Sequence, residues 1–173
     1  MSSIDIPTTG EARIIGPEDG ASFWQPVPAN GFVRNILNQA MVGGNASFSM
    51  GTQTVAPGCF IREHTHAREE EIIHVLEGEG IARVEGIETP ISRGSTVFIG
   101  CNRRHHFLNR SASAPFTFLW LMLPGGLDRF FAEIGRPRTP GDPTPAPFPR
   151  PDNIAEIERR TVFGWTDKSY DKS

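Results

Sequence analysis

The sequence predicts an all-β sandwich or barrel with a short helical extension after it. Eighteen glycines, most of them placed between short runs rich in β-branched and aromatic residues, are typical of many short strands joined by turns. Eight to ten such runs follow one another between residues 32 and 124, and no convincing helix interrupts them. The length of 173 residues suits one domain with one core.

The strands are predicted between an irregular N-terminal arm, residues 1–31, and the end of the barrel at residue 124. The arm carries the turn signals GPEDG and PVPANG. The predicted strands are, in order, FVRNIL, ASFSMGTQTV, CFIREHTH, EIIHVLEG, GIARVEG, IETPIS, GSTVFIG, HHFLNRS and FTFLWLMLP. In the last strand alternate residues share a face, so we expect one of its two faces to line the barrel. That face is either the wall of a substrate cavity or part of the ordinary hydrophobic core.

Residues 125–173 predict two short helices joined by an extended strap, packed on the barrel as part of the same domain. The run GGLDRFFAEIG has apolar residues at helical spacing, and Gly135 can end this helix. Seven of the fifteen prolines lie between residues 137 and 151, which leaves little possibility of helix or sheet there. Asp152 is a candidate N-cap for the second helix. A lid role for the first helix is an open alternative.

Composition excludes several classes of function. The formal net charge is −3 and no basic face or run stands out, so we expect no binding to nucleic acid. The longest apolar run, TFLWLMLP, is too short to span a bilayer. The N-terminus lacks the charged and apolar blocks of a secretory signal, and two cysteines do not make a disulfide framework. We therefore expect a cytoplasmic protein that acts on a small molecule.

All five histidines fall between residues 64 and 106. His64 and His66 share one face of a predicted strand, and a hairpin of this length can bring Glu71 beside them. His105 follows the turn of a later hairpin. If these strands line one barrel, three imidazoles and a carboxylate converge, a set that suits iron, manganese, nickel, zinc or cobalt and leaves positions open for catalysis. The alternative is a set of ordinary polar residues without a metal.

Two stretches, residues 58–78 and residues 94–109, resemble the two sequence motifs of the cupin superfamily. Gly100 stands where the family usually has Pro, and Asn102 where it usually has Gly; both are turn positions that either residue can serve. The defining positions that match are Gly58, His64, His66, Glu71, Gly78, Gly94, His105 and Asn109. The chain thus resembles a small single-domain cupin.

This resemblance implies a double-stranded β-helix, or jelly-roll barrel, that holds one divalent transition metal per chain. It implies His64, His66, Glu71 and His105 as the ligands. We expect iron, with manganese, nickel, zinc or cobalt as alternatives. Because cupins tend to dimerise, the resemblance also implies a homodimer formed through the outer sheet and the N-terminal arm.

Residues near the predicted ligands give a candidate substrate pocket. Arg62 has the strand parity of His64 and could hold an anionic substrate at the cavity mouth, with a solvated or strand-capping arginine as the alternative. For Glu70 a solvated turn carboxylate is favoured over a general base, and for Asn109 a structural role is favoured over a substrate contact. The candidate catalytic residues are Arg62, Glu70 and Trp120. The candidate pocket residues are Phe60, Arg62, Phe107, Asn109, Phe118, Trp120 and Met122.

The sequence predicts a metal-dependent dioxygenase that cleaves a small enol-bearing, diketone or phenolic substrate. The segment PGGLDRFFAEIG is similar to the segment after the barrel in quercetinase-like cupin dioxygenases. One alternative is a non-oxidative metal-dependent isomerase, lyase or decarboxylase, ranked lower because the sequence offers no clear general base beyond the ligands. A second alternative is a cupin that binds a metal or a small ligand without turnover.

Overall fold

The structure, a computed structural model, describes residues 9–168. Within them the chain forms twelve strands and three short helices. The strands are β1 (Ala21–Trp24), β2 (Phe32–Asn38), β3 (Ser49–Val55), β4 (Phe60–His66), β5 (Glu70–Glu77), β6 (Glu79–Val84), β7 (Ile87–Ser92), β8 (Thr96–Ile99), β9 (His105–Leu108), β10 (Phe116–Leu123), β11 (Arg136–Pro137) and β12 (Phe163–Thr166). The helices are α1 (Gln39–Val42), α2 (Leu127–Ile134) and α3 (Ile154–Arg160).

The strands form two antiparallel sheets. The larger has the order β11-β1-β2-β3-β10-β5-β8 and the smaller the order β12-β4-β9-β6-β7. Successive strands from β3 to β6, and again from β7 to β10, alternate between the two sheets. This repeated crossing encloses one interior between the sheets, and the predicted jelly-roll fold is confirmed.

The interior is built from alternate residues of the central strands. On β10 the inward set is Phe116, Phe118, Trp120 and Met122, none more than 1% exposed. One face of this strand therefore lines the barrel, as its alternation predicts. The indole of Trp120 lies over Gly51 of β3, where an added Cβ would come within 2.4 Å of the ring. Only glycine leaves room for that ring.

The arm and the tail add strands to both sheets, which the sequence analysis did not predict. β1 lies in the expected irregular arm and pairs with β2. β12 lies in the tail and pairs with β4, while β11 pairs with β1. These short strands lack a clear alternating pattern, and their pairing with neighbouring strands fixes them as strands. The tail is thus part of both sheets.

α1 lies within residues 32–124, where the sequence predicts no helix, whereas α2 and α3 are the two predicted tail helices and differ from the prediction at one cap. α2 buries Leu127, Phe130, Phe131 and Ile134, and Gly135 ends it by donating its N–H to the carbonyl of Phe131. The predicted N-cap Asp152 is wrong: Asn153 precedes α3, and its side chain makes no capping hydrogen bond. Within residues 9–168, no helix has both the length and the apolar composition needed to cross a membrane.

Candidate metal centre and adjoining cavity

Three strands bring the four predicted ligands together inside the barrel. β4 carries His64 and His66, β5 carries Glu71, and β9 carries His105. His64 lies opposite His105 in the ladder between β4 and β9, and their ring centres are 4.1 Å apart. The ring of His66 is 4.9 Å from that of His64 and 5.1 Å from that of His105. All four side chains are buried.

Backbone carbonyls fix the tautomers of two of these histidines. The Nδ1 of His64 donates to the carbonyl of Arg62 at 2.7 Å, and the Nδ1 of His105 donates to that of Arg103 at 2.8 Å, because a carbonyl can only accept. Each imidazole therefore keeps the lone pair of Nε2 for another partner. The Nε2 of His105 and both nitrogens of His66 are buried, with no hydrogen-bond partner among residues 9–168.

One nitrogen from each histidine lies within 4.8 Å of the others, a spacing that can hold one metal ion. The Oε2 of Glu71 adds a fourth donor, 3.4 Å from the Nε2 of His105 and 3.6 Å from that of His66. Ligands about 2.0–2.2 Å from a tetrahedral ion lie roughly 3.3–3.6 Å apart, so these separations fit a shared ion. Three imidazoles and one carboxylate suit a divalent transition metal but do not select among them.

The electrostatics keep two of the four groups, His64 and Glu71, in their ligating forms. Burial lowers the pKa of His64, and the neighbouring His105 and His66 lower it further, so this imidazole stays neutral at neutral pH. Burial acts to raise the pKa of Glu71, but the imidazoles of His105 and His66 outweigh it and hold that pKa well below its usual range. A carboxylate and a neutral imidazole are the forms that bind a metal.

An aromatic cavity opens beside this centre. It encloses about 640 Å³, counting the space open to solvent at its mouth. His64 and Glu71 lie in its wall. Its aromatic lining residues are Phe60, Phe107, Phe118, Phe130, Phe131 and Phe163. Phe163 comes from β12, which the sequence analysis missed because no local pattern marks this strand.

The structure corrects part of the predicted pocket. Phe60, Arg62, Phe107 and Phe118 line the cavity, and whether they contact substrate stays a prediction. Glu70 is exposed on the first residue of β5, pointing to the opposite side from Glu71 because side chains alternate along a strand. The three predicted pocket residues that lie elsewhere in the barrel are Asn109, Trp120 and Met122.

Each of these three residues has a packing or hydrogen-bonding role. Trp120 packs in the core with its ring centre 5.7 Å from that of Phe131, and Met122 is completely buried beyond it on β10. Asn109 donates through Nδ2 to three backbone carbonyls, those of residues 55, 56 and 114, at 2.9–3.1 Å. All three side chains are buried, and buried residues away from the cavity form the core or hold loops.

Arg62 lies in the cavity wall but is neither solvated nor a strand cap. Its guanidinium forms a buried ion pair with Glu158 of α3 and donates to the carbonyl of Asp167 at 2.7 Å. Arg62 therefore links β4, the strand that carries His64 and His66, to the C-terminal segment. In this arrangement the anionic partner of Arg62 comes from the protein itself.

Comparisons with known proteins agree with this fold. The Cupin domain family matches residues 51–122. Protein SchB of Streptomyces halstedii is 32% identical over 106 residues, which cover 59% of this chain and 71% of SchB. Tetracenomycin polyketide synthase protein TcmJ of Streptomyces glaucescens is 31% identical over 80 residues, or 46% of this chain. The chain spans only about half of TcmJ, 53% of its length.

A solved structure agrees at the level of the fold. The polyketide cyclase RemF from Streptomyces resistomycificus superposes with a TM-score of 0.56 at 20% identity, over 65% of this chain and 80% of RemF. The identity with SchB across most of that protein, the family match and the shared barrel together establish the family. The chain belongs to the cupin family, as a jelly-roll barrel with a candidate three-histidine metal site in its interior.

Proposed function

We propose that this cupin is a non-oxidative, metal-dependent enzyme that closes a ring in a polyketide-derived substrate. The observation that carries the proposal is a cluster of three buried histidines and a carboxylate beside an aromatic cavity. The similarity to TcmJ, named as a polyketide synthase protein, supports the substrate class. The sequence offered a non-oxidative metal-dependent enzyme as an alternative function, and this proposal specifies its reaction as ring closure. The relatives lend no support to the dioxygenase, which stays an untested prediction.

The cavity suits a conjugated chain of ketones and enols. Such a substrate is flat and largely apolar, with oxygens at regular intervals along it. The rings of Phe107 and Phe118, 5.4 Å apart, offer apolar surface for its faces. Phe130 and Phe163, 4.5 Å apart, add a second aromatic pair from the tail. These walls exclude water from a reactive enolate, which water would otherwise reprotonate.

The four ligands would hold one divalent ion, which when bound supplies Lewis-acid polarisation of ketone oxygens. The chain's own residues do the rest. The carbonyls of Arg62 and Arg103 orient His64 and His105 through their Nδ1 protons. We assign Oε2 of Glu71 to the ligand set and Oε1 to proton transfer, because this is the carboxylate in the cavity wall.

The proposed reaction is an aldol cyclisation that consumes no oxidant. A carbon next to a carbonyl loses a proton to Glu71 and forms a C–C bond with a second carbonyl carbon of the same chain. The oxygen of that second carbonyl takes the proton, so the first step is an isomerisation. Loss of one water then gives an aromatic ring. Oriented binding of both reacting carbons in one cavity would supply much of the rate enhancement.

The test uses 1-phenylhexane-1,3,5-trione as substrate for protein loaded with zinc, iron, manganese or nickel. We expect formation of 5-phenylbenzene-1,3-diol with loss of one water, identified by mass and by chromatography against the authentic phenol. Oxygen uptake is recorded in parallel. His105→Ala should abolish product formation, whereas His74→Ala should not, because His74 is bonded to Thr96 on β8 rather than to the cluster.

The alternatives give different results in the same experiment. Oxygen uptake with a product that gains two oxygen atoms would establish the dioxygenase and reject the cyclase. Binding of the triketone by every metal-loaded form with neither product would favour the non-catalytic cupin. Product formation that survives His105→Ala would contradict the proposed site.

A further inference from the structure

Two buried glutamines, Gln25 and Gln53, lie in the cavity wall apart from the metal centre. They are only 5% and 7% exposed. Gln25 directly follows β1, and Gln53 lies on β3. A buried amide left without partners lowers stability, so two of them in a largely aromatic wall call for an explanation. Neither residue has a part in the chemistry proposed above.

The two side chains form a relay whose direction is fixed. Gln25 donates through Nε2 to the backbone carbonyl of Thr54 at 3.0 Å. Gln53 donates through Nε2 to the Oε1 of Gln25. Because the carbonyl of Thr54 can only accept, Gln25 must turn its nitrogen toward it and its oxygen toward Gln53. Gln53 must then use its own nitrogen, and neither amide can flip without losing a bond.

The end of this relay is an unused acceptor in the cavity wall. Across residues 9–168 the Oε1 of Gln53 receives no hydrogen bond from the protein, although this residue lines the cavity. The backbone beneath the relay is held as well, since the N–H of Gln25 donates to the carbonyl of Gly31 at 2.9 Å. An oriented acceptor is thus held in place without a protein donor, which is how a site recognises a ligand hydroxyl.

The strand register gives the offset along the sheet between the backbone of Gln53 and that of Glu71. On β10, Phe118 lies opposite Gln53 and Met122 lies opposite Glu71. Four residues of strand separate these two positions, or about 13 Å at roughly 3.3 Å per residue. The metal centre and the glutamine relay therefore lie at separate levels of one cavity. A ligand that uses both must carry oxygens at two well-separated positions.

We propose that Gln53 is a specificity-determining residue, whose Oε1 accepts a hydrogen bond from a hydroxyl or enol O–H of the substrate at the end remote from the metal. Gln25 is the positioning residue that holds this amide in one orientation. The substrate class, an elongated polyketide with a hydroxyl at its far end, rests on the proposed function. The acceptor itself rests on the relay geometry alone.

The test measures dissociation constants of matched aromatic probes for the full chain loaded with zinc. The probes are naphthalene-2,6-diol and anthracene-2,6-diol, each compared with the parent that carries a single hydroxyl. One hydrogen bond to a buried acceptor corresponds to about a 3- to 10-fold gain in affinity. We expect at least one diol to show this gain in the wild type. Gln53→Met, which keeps the length without the amide, should remove this gain, measured as the ratio of diol affinity to parent affinity within the same variant.

Two further variants sharpen the result. Gln25→Met should reduce the ratio of diol affinity to parent affinity, because it releases the amide of Gln53. Gln39→Met is the matched control, because Gln39 bonds to the carbonyl of Gly44 away from the cavity, and it should keep the full preference. Should Gln53→Met not fold, Gln53→Asn replaces it, since it keeps an amide that is one methylene too short.

The outcomes separate this inference from the proposed function. A diol preference that persists in Gln53→Met, or no preference for either diol in the wild type, overturns the role of Gln53. Conversion of the triketone by wild type and Gln53→Met alike, without a diol preference, would leave the cyclase standing and reject the glutamine site. A diol preference that depends on Gln53, with no triketone product, would reject the cyclase and keep the site.

Discussion

Phe163 of β12 lies directly opposite His66 of β4 in the antiparallel ladder, and their ring centres are 5.4 Å apart. The same phenyl ring is 5.2 Å from the imidazole of His64. The strand nearest the C-terminus within the described residues therefore covers one side of the candidate metal centre. The tail thus completes the wall of a site whose ligands all come from the barrel strands.

Phe163→Ala should weaken the binding of an aromatic ligand in the cavity and leave the metal content unchanged. Loss of the ring leaves His64 and His66 open to water on one side, while all four ligands remain. We expect about a 10-fold loss of affinity for naphthalene-2-ol, in keeping with the loss of roughly 1.4 kcal/mol of apolar contact. The measurement is a dissociation constant together with metal content by mass spectrometry.

Trp165→Ala is the control for this change, because Trp165 lies on the same strand but is exposed and stacks on Arg104. Its removal should leave the affinity for the naphthol within about twofold. Equal losses in both variants would mean that strand β12 acts through general stability and that the ring of Phe163 has no particular part in binding.

Each candidate histidine ligand should be required for metal binding. We expect protein purified without chelators or a metal-affinity column to hold about one transition-metal ion per chain. Single changes of His64, His66 or His105 to Ala should lower the content to roughly a tenth, since second-sphere losses alone cost about 10–100-fold in affinity. Mass spectrometry of the metals gives the content and identity, for which the sequence predicts iron.

His74→Ala should retain the metal at the wild-type level, because this imidazole bonds to the hydroxyl of Thr96. The metal site would be refuted by a wild-type protein that binds none of iron, manganese, nickel and zinc after reconstitution. Equal metal loss in His74→Ala would point to a general effect of removing histidines.

Glu158→Gln should destabilise the whole fold. Glu158 is buried and bonds to Arg62, to Lys168 at 2.6 Å and to the hydroxyl of Thr166 at 2.9 Å. Neutralising it leaves buried positive charge uncompensated, which costs about 3 kcal/mol of unfolding free energy. Urea denaturation at neutral pH measures the loss. Glu133→Gln, in the exposed pair with Arg160, should cost no more than about 0.5 kcal/mol.

The stability difference between wild type and Glu158→Gln should depend on pH. Burial acts to raise the pKa of Glu158, but the hydrogen bond from Lys168 and the charge of Arg62 outweigh it and lower that pKa below its ordinary value of 4.5. The stabilisation from the ionised carboxylate is therefore complete above pH 4.5 and is lost as the pH falls through the lowered folded-state pKa. Urea denaturation across this range should show the difference narrowing toward acid; a constant difference would contradict the assignment.

Asn109→Ala should destabilise the protein and spare the metal. Asn109 is fully buried, and its amide holds three backbone carbonyls while its Oδ1 accepts from the N–H of Ser111. Leaving these groups unpaired costs about 2–3 kcal/mol. Asn45→Ala, which removes an exposed bond to Thr9, should change stability by less than about 0.5 kcal/mol. Unchanged stability in Asn109→Ala, with weaker probe binding, would restore its predicted place in the substrate pocket.

Sequence patterns predicted the parts of the molecule that depend on near neighbours in the chain. Alternation along β10 predicted that one of its two faces lines the barrel, and the helical spacing of apolar residues predicted α2. The spacing of His64 and His66 placed both side chains on one face of a strand. The resemblance to the cupin motifs then supplied Glu71 and His105 as their partners.

The tertiary structure alone decided how the cavity is closed. Alternation along the strand predicts that Phe118 and Trp120 both point inward. Their different depths in the barrel place Phe118 in the cavity wall and Trp120 in the core. Arg62 takes its partner from Glu158, 96 residues away. Gln25 and Gln53 meet across 28 residues. Such contacts form because the folded sheets bring distant segments together, so that charged side chains, strand edges and side-chain amides meet. No local sequence pattern indicates these contacts.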